Sequence, residues 1–268
     1  MSRRRVVITG LGVLAPGAIG AEPFWDLLKS GKSGISTMSR YDVGNFHLKA
    51  AGEVKDFDPK NYVENRKSLK VMARDIQFAV AAAKMVMEDS GLLEKKPDPT
   101  RFGVSLGSAF INTSIDELGP SVYLSLDDNK KFSIQKYGSQ GLGGLFPLWL
   151  LKYLPNMLAC HISITYDAQG PSNTLTTVCA ASSQAIGEAF RIIERGGADL
   201  FIAGGADSKL DPLNWCRFEI LGLLTKDGAM PEKAVRPFDE LFILDQFRIV
   251  HVDKAQRVPK LRIGSVDR

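Results

Sequence analysis

The run Gly170-Pro171-Ser172-Asn173-Thr174-Leu175-Thr176-Thr177-Val178-Cys179-Ala180-Ala181-Ser182-Ser183-Gln184-Ala185-Ile186-Gly187 constrains this chain more than any other. Gly-Pro marks a turn, and the Thr/Leu/Val stretch behind it has the β-branched character of a buried strand. Beyond Cys179 the period changes, and Ala185, Ala189, Ile192 and Ile193 share one helical stripe. A strand over 174–178 therefore runs straight into a helix, with a thiol at the junction. Unpaired N–H groups and the helix dipole at such a point favour thiolate over thiol. They could also hold an oxyanion forming on an attacked thioester. Position alone leaves two readings of Cys179 open: a nucleophile, or a small buried hydrophobe of the kind most free cysteines are.

Around this junction the chain alternates strand-like and helix-like stretches. Residues 5–8 read as a buried apolar strand, and 22–30 as a short helix with Pro23 near its first turn. Val71, Ile76, Ala79, Val80, Ala83, Val86 and Met87 recur at helical spacing, so a long helix is expected over 70–90, stopped by Gly91. Further strands are expected at 102–106 and 199–203, and 44–58 reads as irregular. The alternation implies an α/β sheet covered on both faces by helices. Residues 108–158 contain Gly138, Gly141, Gly143, Gly144, Pro147 and Pro155, and read as a loop-rich insertion, partly helical over 148–154.

Several motifs follow in a recognisable order. The chain opens on Arg5-Val6-Val7-Ile8-Thr9-Gly10-Leu11-Gly12, followed by Phe24-Trp25-Asp26-Leu27-Leu28 and Gly31-Lys32-Ser33-Gly34-Ile35. Then come Asp89-Ser90-Gly91-Leu92, Gly107-Ser108, the Cys179 segment, Ala203-Gly204-Gly205-Ala206-Asp207 and Arg236-Pro237-Phe238-Asp239. Together they resemble the N-terminal half of the β-ketoacyl-acyl-carrier-protein synthases, condensing enzymes of the thiolase superfamily. The resemblance covers 1–239. It implies a thiolase-like layered α/β fold, one αβ half with a mixed sheet covered by helices, in which 108–158 caps the acyl pocket and contributes to a dimer. It also implies that Cys179 takes up the acyl chain and that Lys67 and Lys70 help dock an acidic acyl-carrier protein. Phe110 stands where the family lines its acyl tunnel, with a plain core aromatic as the alternative.

After Asp239 the family continues into a glycine-rich segment and a second half bearing two catalytic histidines. Residues 240–268 match none of this, as a truncated or frame-shifted reading frame would produce. The expectation is an acyltransferase that keeps its nucleophile and half of an oxyanion hole. Losing one oxyanion donor costs about 10²–10³ in rate, and losing the general-acid groups about 10²–10⁴ more. Condensation, whether for fatty acid or polyketide, is then expected near background. Two other classes stay open. One is a non-catalytic half-domain that binds carrier protein or pairs with a full-length synthase, against which the retained Cys179 counts. The other is a coenzyme A-dependent thiolase-fold enzyme. A homodimer is the expected assembly, since half of a two-half fold leaves apolar surface uncovered.

Other patterns carry less. Gly10-Leu11-Gly12 with Gly17 opens no helix, so it reads as a tight turn and not a dinucleotide fingerprint. Gly31-Lys32-Ser33 has Asp26 where a P-loop needs glycine. His47, His161 and His251 show no metal-ligand spacing, and neither metal nor cofactor is expected. His161 reads as a structural histidine ahead of a buried strand. Gln184 faces elsewhere on its helix and receives no role. Arg66, Lys67, Lys70 and Arg74 taken alone read as a solvated helix face. Cys160, Cys179 and Cys216 give no disulfide framework, which suits a reduced cytoplasm. No apolar run is long enough to span a membrane. A net charge of +4 is too diffuse for nucleic acid and suits an acidic protein partner.

Overall fold

The computed structural model describes residues 4–44, 46–95, 97–109, 113–225 and 230–235. Strands β1 (Leu14–Ala15) and β2 (Ala18–Ile19) pair antiparallel and lead into helix α1 (Ala21–Ser30). Strand β3 (Ile35–Thr37) pairs antiparallel with β4 (Ala50–Gly52). A 3-10 turn, Arg66–Val71, precedes helix α2 (Arg74–Asp89) and strand β5 (Phe102–Gly107). Four helices follow: α3 (Ile115–Leu124), α4 (Ile134–Ser139), α5 (Trp149–Tyr153) and α6 (Met157–Tyr166). The chain continues through β6 (Ser172–Leu175), α7 (Ala181–Glu194), β7 (Leu200–Gly205) and α8 (Pro212–Ile220).

The central sheet has the order β6-β5-β7 and is parallel throughout, with Val104 opposite both Ser172 and Ile202. The strand period of two divides β5 between two layers. Phe102, Val104 and Leu106 enter one core with Ile76, Ala79, Val80 and Ala83 of α2 and Leu158 and Ile162 of α6. Phe102 is fully buried there, which is worth about 3 kcal/mol. Gly103, Ser105 and Gly107 face the other way, where α7 lays its buried Ala181, Ala185 and Ala189. Small residues on both sides let this helix lie close against the sheet.

The structure corrects several expectations. Residues 5–8 form no strand, and Val7 and Ile8 are exposed; they pair with no strand of the described sheet. The long helix starts at Arg74, because Met72 and Ala73 are extended and tuck into the core. Its stop at Gly91 holds, with φ of +68°. Residues 44–58 include β4, and the insertion 108–158 is largely helical: the Ser114 and Ser133 side chains cap α3 and α4. The strand before Cys179 ends at Leu175, and His161 lies on α6, not ahead of a strand.

Candidate active site

The Cys179 turn is built from both of its ends. Gly170 N–H donates to the Phe102 carbonyl at 2.8 Å, and Val104 N–H to the Pro171 carbonyl at 3.0 Å, which seats β6 beside β5. Past Leu175 the chain tightens into a 3-10 turn, Val178–Ala180, closed by Ala181 N–H donating to the Val178 carbonyl. Val178 takes a φ of +57°. For a β-branched residue this left-handed conformation costs about 1–2 kcal/mol or more. Backbone strain of this kind persists where the surroundings over-determine it, and it clusters at functional sites. Cys179 follows at once, exposed, one residue before the N-cap Ala180 of α7. No side chain caps that helix. Its first-turn amides and dipole therefore point positive charge toward an anion forming at this end.

Two glycines set the depth at which α7 lies. A Cβ on Gly107 would stand 2.2 Å from Ser182 N and 2.3 Å from Ala181 C. A Cβ on Gly205 would stand 2.0 Å from Ser182 Oγ and 2.8 Å from Gly107 O. Glycine at the ends of β5 and β7 is what lets the first turn of α7, and Cys179 with it, sit over the carboxyl ends of parallel strands. Ligands of open α/β sheets gather at such ends.

Lys67 and Lys70, the expected carrier-protein contacts, lie on a different element. Lys67 and Lys70 are exposed on the 3-10 turn Arg66–Val71, whose start is held by Lys67 N–H donating to Asn65 Oδ1 at 3.2 Å. Neither ammonium makes an ion pair among the described residues. Arg74 departs from the solvated reading: its guanidinium packs on the Phe57 and Phe78 rings and donates to the Val54 carbonyl. Burial, with Arg40 beside it, pulls its pKa down to about 10. Phe110 and His251 lie outside the described residues. His47 is exposed. His161 is buried and bonds to the Val71 backbone, on the face of the sheet opposite α7, and burial lowers its pKa. No cluster of metal-binding side chains occurs among the described residues. Sequence reasoning missed Gln184, whose Oε1 accepts a hydrogen bond from Thr177 Oγ1 across the Cys179 turn.

It also missed Asp75. This carboxyl is 2% exposed at the first turn of α2 and borders a cavity of about 570 Å³ with Arg40, Tyr41 and Asp211. Burial raises its pKa to about 7, although Lys209 and a Ser208 backbone bond oppose the rise. Between about pH 4, where an unfolded Asp titrates, and pH 7 the folded state holds a proton that the unfolded chain has lost. Stability on this account falls as pH rises through that window, and the cost is complete above it. Asp75→Asn keeps an acceptor for Ser208 and removes the charge. It should raise stability at pH 8 by on the order of 3 kcal/mol, with the gain vanishing near pH 4. Melting curves of both proteins across this range measure the effect; an equal gain at both ends would contradict it.

Residues 3–245 match the family described as beta-ketoacyl synthase, N-terminal domain. A 3-oxoacyl-[acyl-carrier-protein] synthase 2 of Vibrio cholerae is 33% identical over 240 residues, covering 90% of this chain and 54% of that protein. The actinorhodin polyketide putative beta-ketoacyl synthase 1 of Streptomyces coelicolor is 34% identical over 242 residues, covering 88% and 49%. Among solved structures, the ishigamide ketosynthase/chain length factor superposes with a TM-score of 0.70 at 27% identity, covering 84% of this chain and 53% of that one. A type II polyketide ketosynthase in complex with its acyl-carrier protein superposes at 0.59 and 30% identity, covering 84% and 50%. These neighbours are ketosynthases, and the chain spans about half the length of the relatives it matches. With the match running through both the sheet and the Cys179 turn, the chain belongs to the β-ketoacyl synthase family, as its N-terminal domain.

Proposed function

We propose that this chain is the nucleophile-bearing part of a β-ketoacyl-acyl-carrier-protein synthase, in which Cys179 takes an acyl group from a carrier-protein thioester. The observation that carries the reading is the exposed Cys179 at the uncapped N-terminus of α7, just behind the strained Val178. The thiolate attacks the thioester carbonyl, the tetrahedral oxyanion is held by backbone N–H groups, and the carrier thiol leaves to give an acyl-enzyme. In the condensation that the resemblance implies, a carbanion from malonyl-carrier protein then attacks this acyl-enzyme and carbon dioxide is released. That step needs donors on the malonyl carbonyl. Neither His47 nor His161 stands at the Cys179 turn, so this chain alone is expected to acylate and to condense near background. A full-length synthase paired with it would supply the missing groups, with 108–158 acting as the cap.

The solved ketosynthase–carrier-protein complex supports a carrier protein as the acyl source over free coenzyme A. The exposed Lys67 and Lys70 suit the acidic surface of such a partner. Reversing both charges, Lys67→Glu with Lys70→Glu, should slow acyl uptake from the carrier-bound thioester about tenfold at low salt. Uptake from a small thioester should be unchanged. Equal slowing with both donors would reject the docking role. We infer the cytoplasm as the compartment, as suits a carrier-protein-dependent synthase; no described helix is long and apolar enough to cross a membrane.

A further inference from the structure

We propose that Gln184 is a positioning residue for Cys179, a role that rests on the reading of Cys179 as acyl acceptor. Gln184 lies on α7, five residues beyond the thiol. Its side chain nevertheless reaches back over the turn, where Oε1 accepts the hydrogen bond of Thr177 Oγ1. That bond encloses Val178 and Cys179. It ties the last residue before the strained Val178 to a rigid helix whose depth Gly107 and Gly205 fix. Among the described residues the turn is otherwise closed by the Ala181-to-Val178 backbone bond, and α7 offers no side-chain cap. A left-handed β-branched residue relaxes when it is not held. Releasing Thr177 therefore lets Val178 swing back and turns Cys179 away from the amides at the α7 N-terminus. The polar contact is worth having because the turn is exposed and has no packed core of its own.

The test uses the whole chain and two independent readouts. One is the rate of acyl-enzyme formation from the N-acetylcysteamine thioester of butyrate. The other is iodoacetamide labelling of Cys179 relative to Cys216, an exposed thiol on α8 that serves as an internal reference. Gln184→Ala and Thr177→Val should each lower both readouts about fivefold or more, the rate equivalent of one ordinary hydrogen bond. The double variant should lose no more than either single, because one contact is removed twice. Gln184→Glu keeps the acceptor and should restore the labelling ratio. Val178→Gly, which adopts the same φ without strain, should shrink the loss caused by Gln184→Ala. An unchanged labelling ratio in Gln184→Ala, or losses that simply add in the double variant, would overturn the proposal. If the unaltered protein takes up no acyl group while the labelling ratio still falls as expected, the acyl-acceptor reading fails and the positioning role of Gln184 stands.

Discussion

Gly107→Ala should destabilise the protein by about 3 kcal/mol and lower its melting temperature by roughly 10 °C. The added methyl would meet Ser182 N at 2.2 Å and Ala181 C at 2.3 Å, both backbone atoms that no rotamer change can move aside. Either α7 lifts off the sheet along its whole Ala181, Ala185 and Ala189 contact, or β5 leaves its register with β6 and β7. Both routes expose core surface, and both displace Cys179. Gly187→Ala makes the control: it lies within α7, nothing outside its own stretch of helix lies within 4 Å of its added Cβ, and its φ is not left-handed. That substitution should leave stability equal or raise it by up to about 1 kcal/mol through helix propensity. Thermal melts of the two variants check the contrast. A Gly107→Ala protein melting like Gly187→Ala would mean that α7 does not lie as close to the sheet as described.

Cys179→Ala should reduce acyl transfer to the protein by on the order of 10⁴-fold or more, the scale on which removing a nucleophile acts. Cys216→Ala should change nothing. Both thiols are exposed, so exposure alone does not separate them. What separates them is the backbone: Cys179 follows a left-handed Val178 and precedes the first turn of α7, while Cys216 lies inside α8 with its neighbouring amides committed to the helix. Acyl transfer from a small thioester, followed by hydroxylamine release, measures the difference. Comparable acylation of Cys216 would show that the chain offers reactive thiols and no acceptor site.

Much of this arrangement was legible in the sequence, and the parts that were not share a cause. The stripe Ile76, Ala79, Val80, Ala83 and Met87 and the runs at β5 and β7 gave the right elements, because each buries one face against the same core. The junction at Cys179 was legible as strand then helix, since β-branched residues give way to alanines. Residues 5–8 failed because an apolar run makes a strand only where it pairs with another, and among the described strands it pairs with none. The insertion 108–158 hid its helices behind Gly and Pro, and α3 tolerates Pro120 within it. Gln184 and Asp75 could not be read at all. The first depends on a turn that folds Thr177 back over seven residues, and the second on α2 beginning at Arg74 instead of Lys70. Contacts of this kind are set by tertiary geometry, which periodicity does not encode.

The most direct measurement is the intact mass of the whole chain after incubation with an acyl-carrier-protein thioester, with Cys179→Ala alongside. A gain of one acyl group that is absent from the variant is the predicted result. No gain, or an equal gain in Cys179→Ala, would contradict the assignment of this turn as the acyl acceptor.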